Sequence, residues 1–207
     1  MPGLIGRKLG MTQIFTEQGE AVGCTVLEVG PCPVVQVKSK ERDGYEAVQL
    51  GFGRRKERRV LKPEAGHASR AGLDYVPAVL AEFEPEADRA YEPGQELTVD
   101  LFEVGQRVKI TGETKGRGFQ GTVKRWNFGG SRASHGAKKI LRKPGSIGPG
   151  TDPSRVIKGR KMSGQMGATT RTAMNRRIEK IDPERNLILV RGSVPGARNN
   201  VVIIRSV

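Results

Sequence analysis

The chain of 207 residues is poor in the residue types on which several protein classes depend. Two cysteines, Cys24 and Cys32, cannot build a disulfide framework, and they fit a reduced, cytoplasmic chain. Two histidines, His67 and His135, stand in unlike contexts, and no further ligands lie at zinc spacing from the cysteines. Nucleophilic catalysis needs a base beside its nucleophile, and so few histidines leave little to supply one. No stretch approaches the roughly 18 apolar residues that a membrane-spanning helix needs. The opening Met1-Pro-Gly-Leu-Ile-Gly-Arg-Lys8 lacks the apolar region of a secretory signal. Hydrophobic residues make up 36%, enough for a modest core but not for one spanning the whole length. Cys24 reads as a core thiol and His67 as a structural residue of a surface helix.

Acid is missing from one place in particular. Residues 114–177 hold sixteen Lys or Arg, twelve glycines and a single acid, Asp152. The remainder carries 20 basic and 21 acidic residues, so the net charge of +14 resides in that one segment. A long, nearly acid-free basic stretch repels itself unless a polyanion neutralises it. No amphipathic helix accompanies the charge, which favours nucleic acid over a membrane surface.

The flanks have β patterning. Residues 12–16 alternate, and Gly19-Glu20 turns the chain into 21–29, where Val22, Cys24, Val26 and Glu28 share one face and Thr25, Leu27 and Val29 the other. Gly30-Pro31 breaks that strand, residues 34–38 begin another, and Asp43-Gly44 signals a hairpin into 46–52. Further strands are expected at 104–111, 186–191 and 201–205. Short helices are expected at 64–71, ended by Gly72, and as a turn within 119–126. The expected fold is mainly β, a small closed barrel, because closure removes exposed strand edges. Residues 1–113 and 178–207 would form it, with 53–95 an irregular, partly helical insertion and 114–177 a long basic extension. Ordering backbone costs about 1–2 kcal/mol per residue, so an extension with so little to bury should be mobile until a partner orders it.

Gly116-Arg-Gly-Phe-Gln-Gly121 fits the G-x-G-x-x-G pattern and lies between an expected strand and a helical turn. A dinucleotide site also needs an acid about twenty residues on, and the first acid after Glu113 is Asp152. With Val123 the run fits a kinase loop, yet no His-Arg-Asp or Asp-Phe-Gly element follows. Glycines that let backbone amides approach phosphates explain the run better. No enzymatic role is expected, and no cofactor, metal or small-molecule substrate.

The basic segment has the chemistry of nucleic-acid contact. Lys124, Arg125, Trp126, Asn127 and Phe128 put cations beside aromatics, so Trp126 could stack a base or anchor the segment to the barrel. Lys115, Arg117, Arg132, His135, Lys138, Lys139, Arg142 and Lys143 continue the charge without hydrophobic period. The uncharged, turn-rich Pro144-Gly-Ser-Ile-Gly-Pro-Gly150 could thread a narrow space before Arg155, Lys158, Arg160, Lys161 and Arg171 restore the charge. Arg suits bidentate phosphate contacts and Lys acts as a point charge. Irregular, shape-following contact of this kind suits folded RNA better than DNA grooves.

Nine motifs then occur together and in order. They are Gly10-Met-Thr-Gln-Ile-Phe15, Gly30-Pro-Cys-Pro-Val-Val-Gln36, Asp43-Gly-Tyr45 with Ala47-Val-Gln-Leu-Gly51, Lys115-Gly-Arg-Gly-Phe-Gln-Gly121, Lys124-Arg-Trp-Asn-Phe128, Ser134-His-Gly136, Pro144-Gly-Ser-Ile-Gly148, Lys158-Gly-Arg-Lys-Met162, and Asn186-Leu187 with Val194-Pro-Gly196. End to end, the chain resembles the bacterial branch of the large-subunit ribosomal protein L-three family. The resemblance implies a β-barrel of the translation-factor type and a loop that penetrates ribosomal RNA toward the peptidyl transferase centre. It also implies binding near the 3′ end of the large ribosomal RNA, early in assembly, among neighbouring large-subunit proteins. Carried across, the loop is roughly 125–165, with its tip at Gly148, Pro149, Gly150 and Thr151. Thr151 stands where many relatives carry a glutamine methylated on its side-chain amide, so that modification is excluded here. Leu141 replaces a second histidine, and Arg171-Thr-Ala-Met-Asn-Arg-Arg177 replaces a strand usually rich in Val and Leu. The residues alone leave an RNA-modifying enzyme or a free RNA chaperone as rivals, and selectivity for one ribosomal RNA region separates them.

Overall fold

The computed structural model describes residues 3–16, 18–86 and 89–207. Met1 and Pro2 of the opening stretch, and Ala87 and Asp88 of the expected insertion, lie outside them. In chain order the strands are β1 (Gly3–Phe15), β2 (Ala21–Val29), β3 (Cys32–Lys38), β4 (Ala47–Arg54), β5 (Pro77–Phe83) and β6 (Glu96–Leu97). They continue as β7 (Arg107–Glu113), β8 (Phe119–Gln120), β9 (Gly164–Gln165), β10 (Thr170–Asp182), β11 (Leu187–Arg191) and β12 (Val201–Ser206). Three helices are present among the described residues: α1 (Lys40–Asp43), α2 (Lys62–Arg70) and α3 (Thr122–Trp126).

Six strands close into an antiparallel barrel in the order β1-β12-β7-β10-β11-β2. Alternation decides which side chains enter it, since successive residues of a strand point to opposite faces. Val202 and Ile204 of β12, Val108 and Ile110 of β7, and Ile188 and Val190 of β11 are buried, while their neighbours along the strand are not. Each such aliphatic side chain contributes about 1.5–3 kcal/mol by leaving water. On β2 the inward set is Thr25, Leu27 and Val29, as the alternation requires, with Thr25 Oγ1 donating to the Gly192 carbonyl at 2.6 Å. Val22 and Cys24 are buried on the opposite face, so two consecutive residues, Cys24 and Thr25, are wholly covered. Residues 3–6 of β1 are all buried, because β1 also packs against β4 of the second sheet.

That second sheet, ordered β5-β4-β3-β6, is separate from the barrel strands. It takes the two expected strands around the Asp43-Gly44 turn, and Gly44 closes α1 with φ 82°. The insertion 53–95 is more ordered than its mixed composition suggests. β5 lies within it and pairs along β4 from Val48↔Phe83 to Arg54↔Pro77, and α2 covers nearly the span expected for a helix. Lys38, Tyr45 and Glu82 tie β3 to β5: Tyr45 donates to Glu82 at 2.8 Å, and Lys38 lies 2.6 Å from the same carboxylate. Hydrogen bonds from Lys38 and Tyr45 hold the Glu82 carboxyl below the usual carboxylate range and push the Lys38 ammonium up. Arg55 does the same to Glu64, helped by the Leu61 backbone N–H. Both cysteines are free and buried, and burial pushes the Cys32 thiol up to about 12 although Ile5 offers it a backbone acceptor at 3.3 Å.

The chain divides into two compact units, residues 1–114 with 170–207, and residues 115–169. The basic extension read from the sequence as 114–177 therefore gives up its last eight residues to β10. Thr170 to Ala173 and Arg176 to Arg177 pair with β7, and a bulge separates the two runs. The strand was hidden because its apolar signal starts only at Ile178, the first residue of β10 that is fully buried.

Candidate nucleic-acid interface

Residues 115–169 form the second unit, and their order comes from backbone locks rather than from a core. Thr122 is the only residue classed as buried in it. At the root, Phe119 pairs with Gln165 and Gln120 with Gly164, and Arg117 N–H donates to the Met166 carbonyl at 2.8 Å. Met166 N–H returns a bond to Gly118 at 3.0 Å. Gly167 makes this approach possible, with φ +73° and a position where a Cβ would lie on the Lys115 carbonyl oxygen. α3 follows, begun by extended Gly121 and ended by Asn127 at φ 60°. Its last turn carries the anchor: Arg125 and the Trp126 indole N–H both donate to the Met162 carbonyl, at 2.9 and 2.8 Å. The Trp126 ring is flanked by Arg125, 4.9 Å from its centre, and Lys161, 5.7 Å away.

This arrangement bears on both readings of Trp126. The indole fastens one strand of the segment to the other rather than to the barrel, through Met162, a residue with no chemical signal in the sequence. The ring remains 37% exposed, so an open face and an anchoring N–H coexist. Further out, Ser131 N–H bonds the Leu141 carbonyl at 3.0 Å, and Arg160 spans to the Ser146 carbonyl at 2.8 Å. No periodicity marks these contacts, because each is a single bond between residues that nothing else pairs.

Every residue of 138–161 is exposed, including Ile140, Leu141, Ile147, Val156 and Ile157. Within that run lie Lys138, Lys139, Arg142, Lys143, Arg155, Lys158, Arg160 and Lys161, against the single acid Asp152. No ion pair forms within 115–169 among the described residues; those that form all belong to the other unit. Lys115, Arg117, Lys124, Arg132 and His135 are exposed as well, and so are Gly148, Pro149, Gly150 and Thr151 at the expected tip. Of the residues singled out from the sequence, the structure gathers Arg125, Trp126 and Lys161 into one cluster with Asn127 next along the chain. Arg171 stands apart, exposed on β10 of the first unit. Outside the segment, residues 54–62 hold six Lys or Arg and one acid, a local excess hidden by averaging over the remaining chain. Arg54 and Arg55 of that run are paired with Glu57 and Glu64.

What the unit offers is a solvent-facing set of uncompensated cations with bare glycine backbone between them, a surface for phosphate oxygens. Among the described residues no group of three or more His, Cys, Asp or Glu is placed to hold a metal ion. No helix among them is long and apolar enough to cross a membrane.

Comparison with known proteins decides the family. The family model for ribosomal protein L3 matches residues 79–186, a span that includes the whole of 115–169. The chain is 51% identical over 204 residues to the large ribosomal subunit protein uL3 of Ralstonia pickettii (strain 12J), covering 98% of this chain and 94% of that one. This chain belongs to the ribosomal protein L3 family. The uL3 of Syntrophobacter fumaroxidans is 50% identical over 202 residues, covering 98% of this chain and 95% of that one. That of Herpetosiphon aurantiacus is 49% identical over 202 residues, covering 98% and 94%. Membership in the L3 family makes the chain a structural ribosomal protein and not an enzyme. It also accounts for the G-x-G-x-x-G run, which lies at the root of the second unit of this L3-family chain with no acid nearby for a ribose.

Proposed function

We propose that this L3-family chain is a structural component of the large ribosomal subunit, and that residues 115–169 bind the large ribosomal RNA. The observation that carries the reading is the run 138–161, exposed throughout and with eight cations against one acid. A surface of that kind is self-repelling alone and gains free energy when phosphates displace their counterions onto it. The barrel is the platform, and the 125–165 loop extends toward the peptidyl transferase centre with Gly148 to Thr151 at its tip. Binding lies near the 3′ end of the RNA, early in subunit assembly, in the cytoplasm and beside neighbouring large-subunit proteins. The support for these finer points is the family resemblance together with the shape and charge of the segment. Influence on peptide-bond formation is through RNA positioning, since no side chain in the loop is paired with a base or nucleophile.

Tagged chain sedimented from lysate through a high-salt cushion tests the reading. Stoichiometric retention on the large subunit and absence from the small one is expected. Loss to the soluble fraction would make the chain a transient RNA-binding factor instead. With about half of the basic segment's cations on phosphate, binding to a large-subunit RNA fragment should follow salt with a log–log slope of about −6 to −7. A slope near −2 would remove the segment as the source of affinity.

A further inference from the structure

Arg176 and Arg177 close the half of β10 that was hidden in the sequence, and the RNA-binding segment proper does not include them. β10 is joined to β11 only from Ile178 to Asp182, while its first half pairs with β7 alone. The bulge between Ala173 and Arg176, with Asn175 at φ 51°, sets the two arginines at the point where that junction opens. On the far side β11 ends at Arg191, opposite Cys24 of β2. The chain then turns at Gly192, whose N–H donates to the Gly23 carbonyl at 2.8 Å. Between these edges lies a cleft of about 410 Å³, bordered by Asn175, Arg176, Arg177, Arg191, Gly23 and Gly192, with Glu20 and the first residues of β2 at its rim.

The charged groups of the cleft are poorly satisfied by the protein itself. Arg176 makes no ion pair and donates no hydrogen bond, and its Nε is buried without an acceptor. Its guanidinium lies over Gly192: a Cβ there would come 2.8 Å from Nη1, and φ of +85° suits glycine at the same position. Arg191 has only a 3.9 Å contact with Glu179, whose Oε1 is itself buried without a hydrogen bond. Arg177 forms no ion pair. Three guanidinium forks thus face one opening against two carboxylates, Glu20 and Glu179, neither of which engages Arg176. A planar fork without a partner is matched by an oxyanion that presents two oxygens at once. Gly23 and Gly192 keep the floor free of side chains, so a bulky polymer backbone can approach it.

We propose that Arg176, with Arg177 and Arg191, forms a second phosphate seat, carried on the barrel, for the RNA that the 115–169 unit binds. This rests on the RNA-binding reading above. The seat lies about 20 Å along β10 from Thr170, where the basic unit joins the strand, at about 3.3 Å per residue. It therefore engages a different phosphate from those met by the unit's own cations, and the two add in the salt dependence.

The test is a salt titration of the full-length chain binding a large-subunit ribosomal RNA fragment, with equal-length competitor RNA as the selectivity control. The double variant R176Q/R177Q should lower the magnitude of the log–log slope by about 1.4–1.8, at 0.7–0.9 per lost phosphate contact. Arg185→Gln, in the exposed turn after β10, should leave the slope unchanged. If thermal melting shows the double variant to be unfolded, exposed Arg177→Gln alone is the reporter, with a fall of about 0.7–0.9. Selective binding by the wild type with the same slope in the variants overturns the seat. That holds also if such a variant loses a protein neighbour from purified subunits, which would make the cleft a protein contact. Failure of the wild type itself to prefer the ribosomal fragment overturns the RNA-binding reading, and the seat with it.

Discussion

Strand β12 and the run 138–161 are built on opposite terms. In β12 every second side chain, Val202, Ile204 and Ser206, disappears into the barrel. In 138–161 none disappears, although five aliphatic side chains are available. The first region is ordered by what it removes from water, and its shape follows from a two-residue period. Backbone locks spaced far apart order the second, and its charges are left for something else to meet. Hydrophobic pattern alone is therefore a good guide to one unit of this protein and almost none to the other.

The largest effect expected from this contrast is in the barrel. Ile204→Ala should cost about 2–5 kcal/mol in urea unfolding, the range for truncating a buried aliphatic residue. Gly167→Ala comes next, because its Cβ would meet the Lys115 carbonyl at positive φ. It should loosen the root by more than about 1–2 kcal/mol, seen as faster amide exchange at 117–120 and 164–166 with the barrel's melting unchanged. Trp126→Phe keeps the ring and loses the N–H donated to Met162. About 0.5–1.5 kcal/mol of local protection should go with it, and a change confined to the barrel amides would contradict the anchoring role.

Acid should act on the small sheet. Glu82 and Glu64 have folded pKa values below the unfolded carboxylate range of about 4.3, so their stabilisation is present above that value. It is lost as pH falls through their lower folded values, and Glu82→Gln should flatten the acid limb of a stability profile. Cys32 has the opposite sign. With a folded pKa of about 12 it stabilises fully below the unfolded thiol value, and that contribution fades as pH rises above it. The smallest effect is expected at Ile147→Ala, within about 0.5 kcal/mol, as for any side chain that leaves no cavity.

How much was legible in the sequence follows the same division. β2, β11 and β12 stand close to where alternation and turn residues put them, and α2 ends one turn residue before Gly72. β5 was obscured by its charged surroundings, and β1 was recognised only from 12 onward. Its first half reads as Gly-rich because it is squeezed between two layers, and Phe83 occupies the space a side chain at Gly3 would need. In the candidate site the cations were visible as composition, and Trp126 as the one indole among them. The Met162 carbonyl, the Arg160–Ser146 link and the opening beside Arg176 had no sequence signal. Each depends on two segments far apart in the chain meeting through a single backbone atom or a strand that stops early.

Amide hydrogen exchange of the full chain, alone and with a large-subunit ribosomal RNA fragment, tests the central contrast most directly. The account predicts strong protection in β7, β11 and β12 in both states, with 138–161 exchanging freely alone and slowing on RNA. Uniform protection of 138–161 in the free chain, or no change there when RNA is added, would contradict it.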